Sequence, residues 1–154
     1  MLTRPSYPGA ILMLRGLREA VTADIPAIFR VRCAVVENTL RLGAITDHEV
    51  QLQIEQSGRG WVIESDGSVV AFAIGNATNG NVWALFVLPD YEGLGYGTLL
   101  HNGMVHWLWS RGLEVLWLTT GERTRARAFY EALGWRCTGL AEHGQVHMEL
   151  LRAA

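Results

Sequence analysis

The chain has 154 residues, 49% hydrophobic and 18% charged, which suits a folded globular domain and excludes a disordered one. Its 13 basic and 15 acidic residues give a net charge of −2, which excludes nucleic-acid binding driven by net charge. Every basic residue is Arg, so P-loop NTPases, Schiff-base lyases and pyridoxal-phosphate enzymes, which all need a functional Lys, are excluded as well.

The length suits one domain, and no repeat, low-complexity tract or Pro/Ser-rich linker divides it. The expected organisation is an N-terminal extension over residues 1–12 and a single domain over 13–154. The opening MLTRPSYPGAILML holds only a short apolar patch, so neither a signal peptide nor a membrane span is expected, and the expected compartment is cytoplasmic. Cys33 and Cys137 are solitary. Without disulfide or zinc spacing, they read as buried small residues or idle thiols.

In chain order, LRGLREA (Leu14–Ala20) reads as a first strand. Thr22 is positioned to cap a helix running to about Asn38, with Asp24 in its first turn. Thr46-x-x-Glu49 is a capping box that opens a second helix. WVIES and SVVAFAIG flank Asp66-Gly67, the signature of a tight hairpin. The turn-rich stretch Asn76–Asn81 leads into VWALFVL (Val82–Leu88), whose unbroken apolar run predicts a strand covered on both faces. Next comes PDYEGLGYG, and then a helix from about Gly95 to Arg111 with Leu100, Met104, Trp107 and Leu108 on one face. LEVLWLTT (Leu113–Thr120) predicts another buried strand. A short helix over about Arg123–Leu133 would bury Ala126, Phe129, Tyr130 and Leu133. WRCTGLAEH and QVHMELL form a closing hairpin around His143–Gln145. The predicted order, β-α-α-β-β-β-α-β-α-β-β, is an α+β fold: a mostly antiparallel twisted sheet of about seven strands with helices on both faces.

The most informative segment is the turn with Gly93, Gly95 and Gly97, set between a strand and an amphipathic helix. Such glycines let successive backbone N–H groups face one concavity, and the helix N-terminus adds unpaired donors and partial positive charge. A pyrophosphate suits that environment; the plainer reading is a tight strand-to-helix connection. A dinucleotide fold fits poorly, because Thr98 stands where its third glycine belongs and the turn follows an antiparallel region.

VLPDYEGLGYGTLL resembles the acetyl-CoA-binding motif of the GCN5-related N-acetyltransferases, (Gln/Arg)-x-x-Gly-x-(Gly/Ala). RTRARAFYEALGW is similar to that family's later motif, Asn-x-x-Ala-x-x-x-Tyr-x-x-x-Gly-(Phe/Trp). The resemblance covers essentially residues 14–151. It implies acetyl-CoA as co-substrate, with no metal, and transfer of an acetyl group to a primary amine of a small molecule or peptide. Gly95 and Gly97 match the motif glycines. The N–H groups of Leu94, Gly95, Tyr96, Gly97 and Thr98, following Gly93, would bind the pyrophosphate. Phe86, Val87 and Leu88 would hold the pantetheine arm as an added strand, and Tyr130 would lie near the sulfur as acid. Two residues depart from the family pattern. Glu92 stands in place of Gln or Arg, putting an anion beside the expected phosphates, and Arg123 replaces Asn. Arg123, Arg127 and Tyr130 would share one helix side at i, i+4 and i+7, either facing the phosphates or solvated.

A lysine-like amine costs about 4–5 kcal/mol to deprotonate at neutral pH, so a base or water chain is expected. Glu37 at the end of the first helix is the leading candidate; Glu64, His147 and ordered water are alternatives. Asn81 occupies the position of a strand carboxylate used by some family members and cannot titrate. The histidines lack zinc-site spacing. Residues 37–46, among them Glu37, Asn38, Thr39, Leu40 and Arg41, and the His143–Gln145 turn are expected to border the acceptor pocket, no nucleic-acid or membrane partner is expected, and a homodimer is left open. The alternative function is a non-catalytic acyl-CoA-binding or sensing module, which turnover against amines would separate from the enzyme.

Overall fold

The computed structural model describes residues 16–35 and 46–153. The extension expected over residues 1–12, the start of the first predicted strand, Glu37 and residues 38–45 of the expected acceptor border lie outside the described residues.

Strand β1 (Leu17–Glu19) is followed by a single 3-10 turn and helix α1 (Ile25–Ala34). The cap differs from the expected one. The N-cap position falls to Asp24, which makes no side-chain cap bond to the helix; its carboxylate accepts the Val21 N–H (2.8 Å) instead, while Thr22 bonds Glu55. Arg18 grips the same carboxylate through both terminal nitrogens (2.9 and 2.8 Å) and also bonds Glu64 (2.7 Å), tying β1 to α1 and to the neighbouring strand. That guanidinium holds the Asp24 carboxyl below its usual pKa. Helix α1 stops at Ala34, where Val35 turns to extended backbone (φ −90°, ψ 107°), short of the expected Asn38.

Helix α2 (Asp47–Leu52) opens with the predicted capping box. Thr46 Oγ1 accepts the Glu49 N–H (3.2 Å), and Glu49 Oε1 accepts the Thr46 N–H (2.8 Å). Strands β2 (Gly58–Ser65) and β3 (Ser68–Asn76) meet at Asp66-Gly67, whose φ values of 54° and 80° are the positive pair a two-residue hairpin turn requires. Asn76 Oδ1 then accepts the N–H groups of Thr78 and Asn79, closing the turn that delivers β4 (Val82–Val87). Helix α3 (Tyr96–Ser110), β5 (Val115–Gly121), α4 (Arg125–Ala132), β6 (Arg136–Leu140) and β7 (Gln145–Leu151) complete the chain.

The α+β class is the expected one, but the strands form two antiparallel sheets, β1-β2-β3-β4 and β5-β7-β6. The two are joined at a parallel bridge between Asn81 and Trp117, where Asn81 Nδ2 donates to the Trp117 carbonyl (3.2 Å) and the Trp117 N–H to the Gly80 carbonyl (3.0 Å). Beyond this knot β4 and β5 part, and among the described residues no strand pairs with the outer edge of β4.

Two apolar clusters sandwich the first sheet. Leu100, Met104 and Leu108 of α3 pack with Ile63, Ala71 and Ala73 on one side, and this cluster continues onto Leu116, Leu118, Val146 and Met148 of the second sheet. Ile25, Ile28 and Val31 of α1 and Val50 of α2 pack with Val62, Phe72 and Ile74 on the other side. Each such side chain contributes about 1.5–3 kcal/mol when fully buried.

Several burial expectations are corrected. Past Val82, β4 is only half-buried, because one edge borders open space. Strand β5 alternates, with Leu116 and Leu118 inside and Val115 exposed. Helix α4 buries Tyr130 fully, while Ala126, Phe129 and Leu133 are half-buried. Cys33 and Cys137 are both exposed free thiols rather than core residues.

Candidate functional site

The parting of β4 from β5 opens a cleft of about 360 Å³. One wall is β4. The Leu88 N–H donates to the Val70 carbonyl (2.9 Å), which fixes the alternation of the antiparallel ladder. Phe86 and Leu88 therefore turn their backbone groups toward β3, whereas Leu85 and Val87 present theirs to the free edge. An extended ligand could pair there as a strand pairs with a sheet edge.

The cleft floor is the glycine turn. Gly95 is the N-cap of α3 at φ +88°, a left-handed conformation that costs a side-chain-bearing residue dearly, and Gly93 is at φ +78°. The Glu92 N–H reaches the Pro89 carbonyl and the Leu99 N–H reaches the Gly95 carbonyl. Between them, the N–H groups of Gly93 through Thr98 have no acceptor among the described residues. Consecutive unpaired donors at a helix N-terminus form an anion cradle, and a pyrophosphate fits it in charge and in donor number. Tyr91 and Tyr96 stack beside it, with centroids 6.4 Å apart.

At the inner end stands Tyr130, which lines the cleft from α4 although its residue surface is only 7% exposed. Burial pushes its phenol well above the usual tyrosine pKa, so it keeps its proton throughout the neutral range. Its ring packs among His101, Phe129 and Trp135. Trp135 Nε1–H donates to His101 Nε2 (2.9 Å), leaving the His101 proton on Nδ1 to meet Asn102 Oδ1 (2.9 Å). Burial lowers the His101 pKa and favours this neutral tautomer.

Of the residues singled out in the sequence, Phe86, Val87, Gly93, Gly95, Tyr96, Gly97, Thr98 and Tyr130 line the cleft. Leu88 and Leu94 do not; Leu94 is 55% exposed. Arg123 is also outside it. Thr124 caps α4 by accepting the Arg127 N–H (3.2 Å), so Arg123 precedes the helix and the shared face with Arg127 and Tyr130 does not form. Arg127 instead bonds Glu131 and the Glu122 carbonyl. The cation at the cleft is Arg125, which holds Glu92 with both ends of its fork, 2.7 and 3.1 Å. Glu64 is engaged by Arg18, away from the cleft. His147 stacks on Trp117 (5.5 Å), meets Thr138 Oγ1 (2.7 Å) and likewise does not line the cleft. Sequence reasoning missed Val35, Leu85, Tyr91, Ala126 and Phe129 as lining residues. The i, i+3 and i+4 spacing of Ala126, Phe129 and Tyr130 carried a signal for two of them, read as core packing. The edge facing of Leu85 depends on register, which the sequence does not print.

No group of three or more His, Cys, Asp or Glu among the described residues could hold a metal ion. No described helix is long and apolar enough to cross a membrane.

The parted sheets, the unpaired N–H groups of the glycine turn and the buried tyrosine define an α+β protein with an open edge-strand cleft. Residues 28–135 match the model of the acetyltransferase (GNAT) family, and the chain belongs to that family. A curated relative, the [ribosomal protein bS18]-alanine N-acetyltransferase of Haemophilus influenzae, is 31% identical over 72 residues, 46% of this chain and 49% of that one. The match thus spans about half the length of that relative. Among solved structures, the paia N-acetyltransferase of Thermoplasma acidophilum in complex with coenzyme A superposes with a TM-score of 0.75 at 13% identity, covering 88% of this chain and 98% of that one. The ribosomal-protein-S18-alanine N-acetyltransferase of Escherichia coli superposes with a TM-score of 0.69 at 21% identity, covering 88% and 92%. At these identities the superpositions establish a shared fold.

Proposed function

We propose that the protein is an acetyl-CoA-dependent N-acetyltransferase acting on a primary amine of a small molecule or peptide. The observation that carries this reading is that one cleft joins the unpaired N–H groups of Gly93–Thr98, the free edge of β4 and the buried Tyr130. When bound, acetyl-CoA supplies an activated acyl group as a thioester. The cradle residues hold its pyrophosphate, and the backbone of Leu85 and Val87 aligns the pantetheine arm. The Val87 N–H is the donor available to the acyl carbonyl oxygen, where negative charge develops. Tyr130, held protonated by burial, donates a hydrogen bond to the departing sulfur. Its raised pKa makes full proton transfer to a thiolate unfavourable, so stabilisation in place is the stronger contribution. Glu37 is the proposed base for the amine; Val35, two positions earlier in the chain, lines the cleft.

The acceptor class follows from amine chemistry and from the family. The Haemophilus influenzae relative, named for acetylating an alanine of a ribosomal protein, makes peptides with an N-terminal alanine the first acceptors to try. The test is acetyl-CoA-dependent release of free thiol against a panel of small amines and such peptides, with acetylated product identified by mass. Turnover above the hydrolysis background with at least one amine is the expected result. Tight acetyl-CoA binding with no turnover across the panel would count against catalysis and favour a binding module.

A further inference from the structure

Glu92 is the residue that least suits an anion site, and the structure gives it a partner. It ends the β4–α3 connection just before the glycine turn, whereas Arg125 opens α4, 33 positions along the chain. Both line the cleft beside the cradle, and the two side chains meet in a fork-to-fork pair of 2.7 and 3.1 Å. The side chains are 36% and 74% exposed, and a pair so open to water contributes little to stability, so its interest lies in position. Two carboxylate oxygens on a guanidinium fork have the same geometry as two oxygens of a phosphate.

We propose that Arg125 is the cation that receives a phosphate of the bound cofactor, and that Glu92 is an internal stand-in anion which the phosphate displaces. The proposal rests on the acetyl-CoA reading above. The pair removes the conflict that a lone carboxylate would create at the cradle, because Arg125 neutralises Glu92 while the cleft is open. Loading then exchanges one anion for another on the same fork. Glu92 thereby competes with the cofactor and lowers its affinity, and it does so through Arg125 rather than by direct repulsion alone. Arg125 on the facing helix then does what the motif's usual polar or cationic side chain would do from the turn.

The experiment is a double-mutant cycle read by calorimetry with CoA, and with pantetheine as a probe that lacks the phosphates. Arg125→Gln is expected to weaken CoA binding about tenfold, the size of a charge-assisted phosphate contact, and to leave pantetheine binding unchanged. Glu92→Gln is expected to tighten CoA binding several-fold. In the Arg125→Gln background Glu92 has lost its partner and acts by repulsion alone, so Glu92→Gln should change CoA binding by a factor different from that in the parent. Thermal melts of the apo variants within about 2 °C of the parent would confirm that folding is intact. Independent, additive effects of the two substitutions would overturn the exchange, as would unchanged CoA binding in Arg125→Gln or weaker binding in Glu92→Gln. Failure of the parent protein to bind CoA at all would strike the functional reading instead, so the two failures are distinguishable.

Discussion

Strands β3 and β7 are each an inner strand of an antiparallel sheet, yet they live in different surroundings. Every residue of β3 from Val69 to Asn76 is buried, because α3 covers one face and α1 with α2 covers the other. In β7 only Val146 and Met148 are buried, and Gln145, His147 and Glu149 alternate with them on a half-open face. At β3 the first sheet is covered on both faces and the strand reads as a continuous apolar run; β7 of the second sheet is covered on one side and reads with a period of two. The cleft lies where the two regimes meet. The edge of β4 has lost its neighbour, and unpaired backbone there becomes a binding surface instead of a core.

The contrast predicts very different costs of truncation. Phe72→Ala on β3, at 1% exposure and packed 5.5 Å from Phe86, should lose about 3–5 kcal/mol in urea unfolding. His147→Ala on β7 gives up a ring stack and one hydroxyl contact on the open face and should lose about 1 kcal/mol. Equal losses would break the distinction between a double and a single cover.

Tyr130 probes the boundary between the regions. Tyr130→Phe keeps the ring packing against His101, Phe129 and Trp135 and deletes only the hydroxyl. The expected outcome is a fall in kcat of about 10–100-fold, with little change in the KM for acetyl-CoA and little change in stability. An unchanged kcat at neutral and alkaline pH would leave Tyr130 a packing residue.

The smallest effect expected is a pH dependence seated on α3 where it meets α4. His101 is buried against Trp135, Phe129 and Tyr130, and its folded pKa lies below the unfolded value near 6.5. The unfolded chain then binds the proton more readily. Stability from this group is fully present above about pH 6.5 and is lost as pH falls from there through the depressed folded value. His101→Gln should flatten that part of a stability–pH curve, measured by denaturant titration; an unaltered slope would mean that other groups set it.

Interactions closed within a few residues were legible in the sequence. The Thr46–Glu49 box, the Asp66-Gly67 turn and the glycine turn before α3 each depend on local φ/ψ preference and hydrogen bonds of short span, so side-chain chemistry determines them wherever the segment sits. The family motifs are legible for the same reason, since they describe a turn and one helix face. The limits of this locality appear at α1 and α4. Thr22 and Arg123 are reasonable local readings, but α1 starts from Asp24, whose carboxylate is engaged by Arg18 and makes no cap bond, and Thr124 takes the start of α4 through its bond to the Arg127 N–H.

Tertiary structure alone decided which backbone groups stay unpaired and which distant charges meet. The apolar run of β4 could not reveal that one edge would be open, because edge pairing is set by where β5 departs beyond the Asn81–Trp117 bridge. Nor could it reveal that Glu92 would find Arg125, since a contact 33 positions apart depends on how α4 docks beside the glycine turn. Short-range chemistry determined the cradle; long-range packing determined what stands at its mouth.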